Sequence, residues 1–320
     1  MSDRPQVIGR LIRTVTPFVG EDVRSVAIRY ASLKRLTITC LLHSGIKMDE
    51  AHLTMLPLKR DSVEAFADLA GLDAHALYTE TLGSLYHRSA IEGMMSHWRR
   101  VAPGMLRSDP EPWIRAHWQL ACLPCDPDTG ECLLHTCPAC WRTLSWSRAE
   151  RLHCCQVCSY DLRDVSPSQL TEPVQELARL MVGIVRRNPE AIGRLPRVIA
   201  SATLDEQIAL FGLLGTLRSL IAGTTPHSSV FLNVNGLELA LAYPASFDGL
   251  VRDLLVTHEE RDARMGWFVG ALEIAFQVRL LPTGRIRTHI MGQIRKTSKD
   301  KNVFWLISNH SKAMRGGAPA

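Results

Sequence analysis

Cys137-Pro-Ala-Cys140 and Cys155-Gln-Val-Cys158 are two CxxC pairs about fifteen residues apart, the spacing at which two short knuckles each donate two thiolates to one tetrahedral ion. Four thiolates close the coordination sphere and leave no position for water or substrate. The ion expected, Zn2+, is therefore structural and stabilises a segment that lacks a large core of its own. Cys154 and His153 are spare donors beside the second pair, and Cys155 is preferred because it completes the CxxC. A redox dithiol is the other chemistry such pairs perform, but no strand-then-helix pattern of thioredoxin type surrounds either one. Cys122-Leu-Pro-Cys125 followed by Cys132-Leu-Leu-His135 has knuckle spacing as well and forms a weaker, second candidate set.

The elements that must position these ligands read as helices on either side. Val23 to Leu42 carries Val26, Tyr30, Leu33, Leu36 and Leu41 near an amphipathic period, with Gly45 as a stop. Ser62 to Leu82 gives two short helical patterns, Val63 to Ala70 and Ala74 to Leu82, joined at Gly71 with Asp73 as N-cap of the second, a helix-turn-helix outline. Any helical hairpin with a glycine in its turn shares that outline, most of them being packing units. Thr171 to Arg187 and Leu204 to Ala222 are further helical blocks rich in Leu, Ile and Ala. Val230 to Val234, the turn dipeptide Asn235-Gly236 and the alternating Leu237 to Ala242 predict a β-hairpin covering the helical core. The fold class expected is mainly α: a helical unit with helix-turn-helix character over 1–99, a small zinc-binding segment over 100–165, and a helical domain with one β-hairpin and a basic end over 166–320.

A chain of 320 residues with 46% hydrophobic content buries at least one full core. No uncharged apolar run reaches the ~18 residues that span a bilayer, and the first residues do not read as a signal peptide. The expectation is a cytoplasmic protein without membrane association. Eight of the nine cysteines fall between Cys122 and Cys158, and such clustering in a reducing compartment points to metal rather than disulfides. HExxH, GxSxG, phosphate-loop and dinucleotide-binding patterns are absent, and His258-Glu259-Glu260 lacks the second histidine of a metal pair, so no enzyme is expected.

Read together, Arg100 to Leu162 resembles the zinc-binding segment of the TniQ/TnsD family of transposition target-selection proteins. The resemblance rests on Trp113, His117-Trp118-Gln119-Leu120, Cys125, Gly130, Leu133-Leu134, Cys137-Pro138-Ala139-Cys140, and Cys155 to Cys158 followed by Asp161-Leu162, all in the family's order. Ser62 to Leu82 is similar to the small helical unit that precedes this segment in the family, and the likeness fades after Pro167. Where the family's first knuckle belongs, Ala102 and Met105 stand in place of its two cysteines, and no histidine lies between Cys125 and Gly130. The resemblance thus implies one zinc, held by Cys137, Cys140, Cys155 and Cys158, with packing around Trp98, Trp113 and Trp118 supporting the emptied knuckle and Met105 filling a gap. It also implies an adaptor bridging a target-DNA recogniser, its own surface or an RNA-guided CRISPR effector, to an AAA+ ATPase regulator of TnsC type. A homodimer suits such a bridge.

Net charge is only +5, but from Arg279 to Arg315 nine cations stand against the single acid Asp300. Arg285, Arg287, Arg295, Lys296, Lys299 and Lys301 interleave with Ile286, Ile290 and Ile294, as in an element that packs on one face and meets phosphates on the other. A solvated helix face or a surface for an acidic protein has the same pattern. The functional expectation is a target-selection adaptor in transposition. A stand-alone zinc-containing, sequence-specific DNA-binding protein is the alternative.

Overall fold

Asp22 starts the first helix: its carboxylate accepts the backbone N–H of Arg24 at 2.8 Å and, with both oxygens, the Arg24 guanidinium at 2.9 and 2.7 Å. The computed structural model describes residues 14–46, 59–79, 95–224, 229–261, 266–298, 304 and 307–308. Among these residues the regular structure is helical, with thirteen α-helices and only isolated β-bridges. No helix among them is long and apolar enough to cross a membrane.

The chain divides into two units, one formed by residues 1–119 and 134–167, the other by 120–133 and 168–320. In the first unit, α1 (Val23–Leu33), α2 (Ile38–Ile46), α3 (Arg60–Ala70) and α4 (Ala74–Thr79) precede the short α5 (Pro103–Ser108). Val23, Val26, Ala27 and Ile28 of α1 are fully buried with Val63 and Phe66 of α3, and Tyr30 meets Phe66 edge-on at 6.2 Å. The continuous helix expected from Val23 to Leu42 is broken. Leu36 N–H reaches the Ala31 carbonyl at 2.9 Å and Arg35 N–H that of Ser32 at 3.0 Å, with Arg35 left-handed at φ 58°, a Schellman-type stop without glycine. The second piece, Ile38–Ile46, extends one residue past Gly45, the expected stop.

The pair α3 and α4 forms as expected about its turn: Gly71 caps α3 in the left-handed region at φ 68°, and Asp73 accepts the N–H of Ala76 at 3.0 Å. The expected continuation to Leu82 lies outside the described residues.

The second unit is built on α9 (Leu204–Ile221), which follows α6 (Glu172–Val185), α7 (Pro189–Gly193) and α8 (Arg197–Ala200). Leu210, Phe211, Leu214 and Leu217 of α9 are fully buried, and α10 (Ser229–Leu241), α11 (Ala245–Arg261), α12 (Gly266–Leu280) and α13 (Arg285–Thr297) pack around it.

The expected β-hairpin at 230–242 is absent, because that segment is helix α10. Asn235-Gly236 reads locally as a turn, yet Gly236 has a different task. A Cβ there would lie 1.6 Å from the carbonyl oxygen of Phe211, so the glycine lets the backbone of α10 approach the backbone of α9. Val234, Leu237 and Ala240 are buried on this helix, a spacing of three that suits a helical seam.

Candidate metal centre

Each cysteine pair sits in a tight knuckle. In the first, Cys137 N–H bonds the carbonyl of Arg142 at 2.9 Å and Trp141 N–H that of Cys137 at 2.8 Å, while Thr136 and Thr143 close the loop as an antiparallel bridge. The second repeats the pattern: Cys155 N–H to Tyr160 at 2.9 Å, Ser159 N–H to Cys155 at 3.0 Å, and a bridge between Cys154 and Asp161. Trp141 and Ser159, each following the second cysteine of its pair, are both left-handed, at φ 58° and 59°. Gln156 Nε2 donates to the Thr143 carbonyl at 2.7 Å and ties one knuckle to the other.

The knuckles bring the four sulfurs within 4.8 Å of one another. Cys137 Sγ lies 3.7 Å from Cys158 Sγ, and Cys140 Sγ 3.7 Å from Cys155 Sγ. A tetrahedron with zinc–sulfur bonds of about 2.3 Å has edges of about 3.8 Å, so the quartet fits one ion of that size with four thiolates. Cys155 takes this place rather than Cys154, as the CxxC spacing required. Among the described residues this quartet is the one group of three or more Cys, His, Asp or Glu ligand atoms gathered closely enough for a metal, and Cys122, Cys125, Cys132 and His135 do not form a second.

Electrostatics prepare the site unevenly. Burial pushes the Cys137 thiol up to about 12, more than the N–H groups of Cys140 and Ala139 pull it down. For Cys155 burial acts upward too, but the N–H groups of Cys158 and Val157 and the neighbouring thiols hold it down at about 7. Val157 N–H points at Cys155 Sγ from 3.4 Å. An entering cation thus meets one thiol, Cys155, that ionises near neutrality, and displaces the proton that burial holds on Cys137.

Arg99 carries no ligand and was not singled out by the sequence. Its side chain is fully buried and donates to the carbonyls of Arg151 at 3.1 Å, Leu152 at 3.2 Å and Cys154 at 2.7 Å, the run that leads into Cys155. Its backbone N–H bonds Leu144, just past the first knuckle, at 2.9 Å. Burial lowers the guanidinium to about 10, so it stays charged at neutral pH. Trp146 and Arg24 were missed as well: the Arg24 guanidinium stacks over the Trp146 ring at 4.2 Å, both buried.

Where the resemblance implies packing in place of a first knuckle, the segment around residues 102–118 is a packed core. Ala102 and Leu106 are fully buried, whereas Met105, expected as filler, is half-buried. Arg115 lies over Trp113 at 4.1 Å and Trp118 at 4.7 Å and grips Asp109 with two bonds of 2.8 and 2.9 Å. Trp118 is buried, but Trp98 is 50% exposed and is no part of that core.

Of the expected basic surface, Arg285, Arg295 and Lys296 are exposed on α13 and Arg287 is half-buried. Ile286, Ile290 and Ile294 are buried on the opposite face. Lys299 and Lys301 lie outside the described residues. No family model matches the chain, and no curated protein matches it in sequence.

Proposed function

We propose that the chain is a zinc-stapled adaptor of TniQ type that links a target-DNA recogniser to an AAA+ transposition regulator. The observation that supports it is the closed quartet of Cys137, Cys140, Cys155 and Cys158, set in the motif order that carries the resemblance. Zinc, with four thiolate ligands, has no open position there, so its part is to hold the segment in shape and not to activate water. The flanking motif residues have matching structural tasks. Asp161 caps the 3-10 turn Leu162–Asp164 and pairs with Arg163 at 2.7 Å, and Leu162 and Trp118 are fully buried.

Arg285, Arg295 and Lys296 on the open face of α13 supply the surface proposed for phosphates. The test is reconstitution with an AAA+ ATPase of TnsC type. The adaptor reading expects a stable complex with the ATPase and weak, salt-sensitive duplex binding by the chain alone. A sequence-specific footprint by the chain alone, without any ATPase complex, would replace it with the DNA-binding regulator.

A further inference from the structure

A guanidinium fully removed from water costs several kcal/mol unless an opposite charge compensates it. Arg99 is such a group: none of its exposed surface remains, its Nε has no hydrogen-bond partner, and its hydrogen bonds go to three carbonyls, which are dipoles and not charges. Of the other buried arginines of this unit, Arg24 has Asp22 at 2.7 Å, Arg115 has Asp109 at 2.8 Å, and Arg100, 5% exposed, donates to the Trp118 carbonyl at 3.1 Å. Among the described residues no carboxylate forms an ion pair with Arg99.

Four thiolates around one divalent ion sum to a charge of −2; Cys158 faces solvent and Cys140 is half-buried, whereas Cys137 and Cys155 are buried, and it is the Cys155 side that follows the Cys154 carbonyl held by Arg99. Arg142, Arg148 and Arg151 near the knuckles are exposed, where solvent screens them. Arg99 is buried and is held against the 151–154 run that delivers Cys155.

We propose that Arg99 is the buried counter-charge of the four-cysteine centre, a positioning residue whose positive charge is required for tight metal binding. The proposal rests on the metal reading of the quartet. Without the ion, a lone buried cation opposes folding of the segment; with it, cation and dianion compensate one another, so loading and local folding reinforce each other.

The test titrates zinc alone, against a competing chelator, into the full chain and into Arg99→Met, Arg99→Lys and Arg107→Met, with cobalt absorption reporting the ligand set. Arg107 is a matched control, an exposed arginine that also bonds backbone carbonyls, those of Arg163 and Val165. The expected result is a loss of at least ~10-fold in affinity for Arg99→Met with the four-thiolate cobalt spectrum retained, near-complete recovery in Arg99→Lys, and Arg107→Met within about twofold of the parent. Unchanged affinity in Arg99→Met, or equal losses in Met and Lys, overturns the counter-charge. If Arg99→Met does not fold, Arg99→Lys decides alone, since retained affinity supports charge and lost affinity excludes it. A parent chain that binds no zinc sinks the metal reading itself, a different failure from zinc-loaded parent and Arg99→Met alike.

Discussion

Glu206 Oε1 accepts the backbone N–H of Ile286 at 3.3 Å while Oε2 accepts that of Thr203 at 3.0 Å, so one carboxylate caps two helices 80 residues apart. The first is its own α9, through a full capping box with Thr203; the second is the basic α13, whose N-cap, Gly284, has no side chain to offer. A Cβ at Gly284 would lie 1.9 Å from Oε1 and push the carboxylate out of this contact. Glu206→Ala should lower stability by about 2 kcal/mol, the sum of two ordinary caps. Denaturant unfolding measures it, and a loss below about 0.5 kcal/mol would show that the second cap contributes nothing.

Gly236 and Gly249 form a matched pair inside helices. An added Cβ meets the Phe211 carbonyl at 1.6 Å in the first and nothing within 4 Å in the second. Gly236→Ala should cost at least about 2 kcal/mol through displacement of α10 from α9. Gly249→Ala should stabilise by up to about 1 kcal/mol, because alanine is the better helix former. Melting temperatures moving in the same direction would refute the packing account.

Replacing Cys137 or Cys158 by serine should abolish stoichiometric zinc and open residues 134–167 to protease, whereas Cys122→Ser should leave the metal content unchanged. Apparent zinc affinity should rise with pH through neutrality, because Cys137 at about 12 holds its proton until the ion displaces it. Metal analysis and a chelator titration between about pH 6 and 8 check both expectations; a flat profile would argue against thiolate ligation.

Glu21 is drawn two ways. Burial pushes its carboxyl from 4.5 up to about 7, although Ser25, Arg29 and the N–H of Phe18 all favour the charged form. The folded chain therefore keeps a proton that the unfolded chain has released. Its contribution is complete below about pH 4.5 and is lost as pH rises to about 7. Relative to Glu21→Gln, the parent should lose on the order of 1 to 3 kcal/mol across that window. A constant difference between the two unfolding curves would mean that Arg29, only 2.7 Å away, keeps Glu21 ionised throughout.

What could be read in advance was what local spacing encodes. The two CxxC pairs, the turn at Gly71 with Asp73, and helices α6 and α9 all depend on neighbours a few residues away. Misreadings arose where a local cue served a distant contact. Asn235-Gly236 has the chemistry of a hairpin turn, but its glycine answers to Phe211 in another helix. Arg99 gave no signal because the carbonyls it holds are more than 50 residues further along. The stop at Arg35 had no glycine or proline to announce it.

Residues 120–133 fold with 168–320 although they stand within the sequence of the first unit. Cys132 N–H bonds Ser168 at 2.8 Å, Leu170 N–H bonds Gly130 at 2.9 Å, and Gln175 Nε2 grips the carbonyls of Pro127 and Asp128. Cutting the gene at one point therefore yields no intact half: a fragment starting at 168 leaves behind the loop that seats its first helix. Anyone wishing to isolate the basic helical portion would have to graft that loop back by circular permutation or a designed linker.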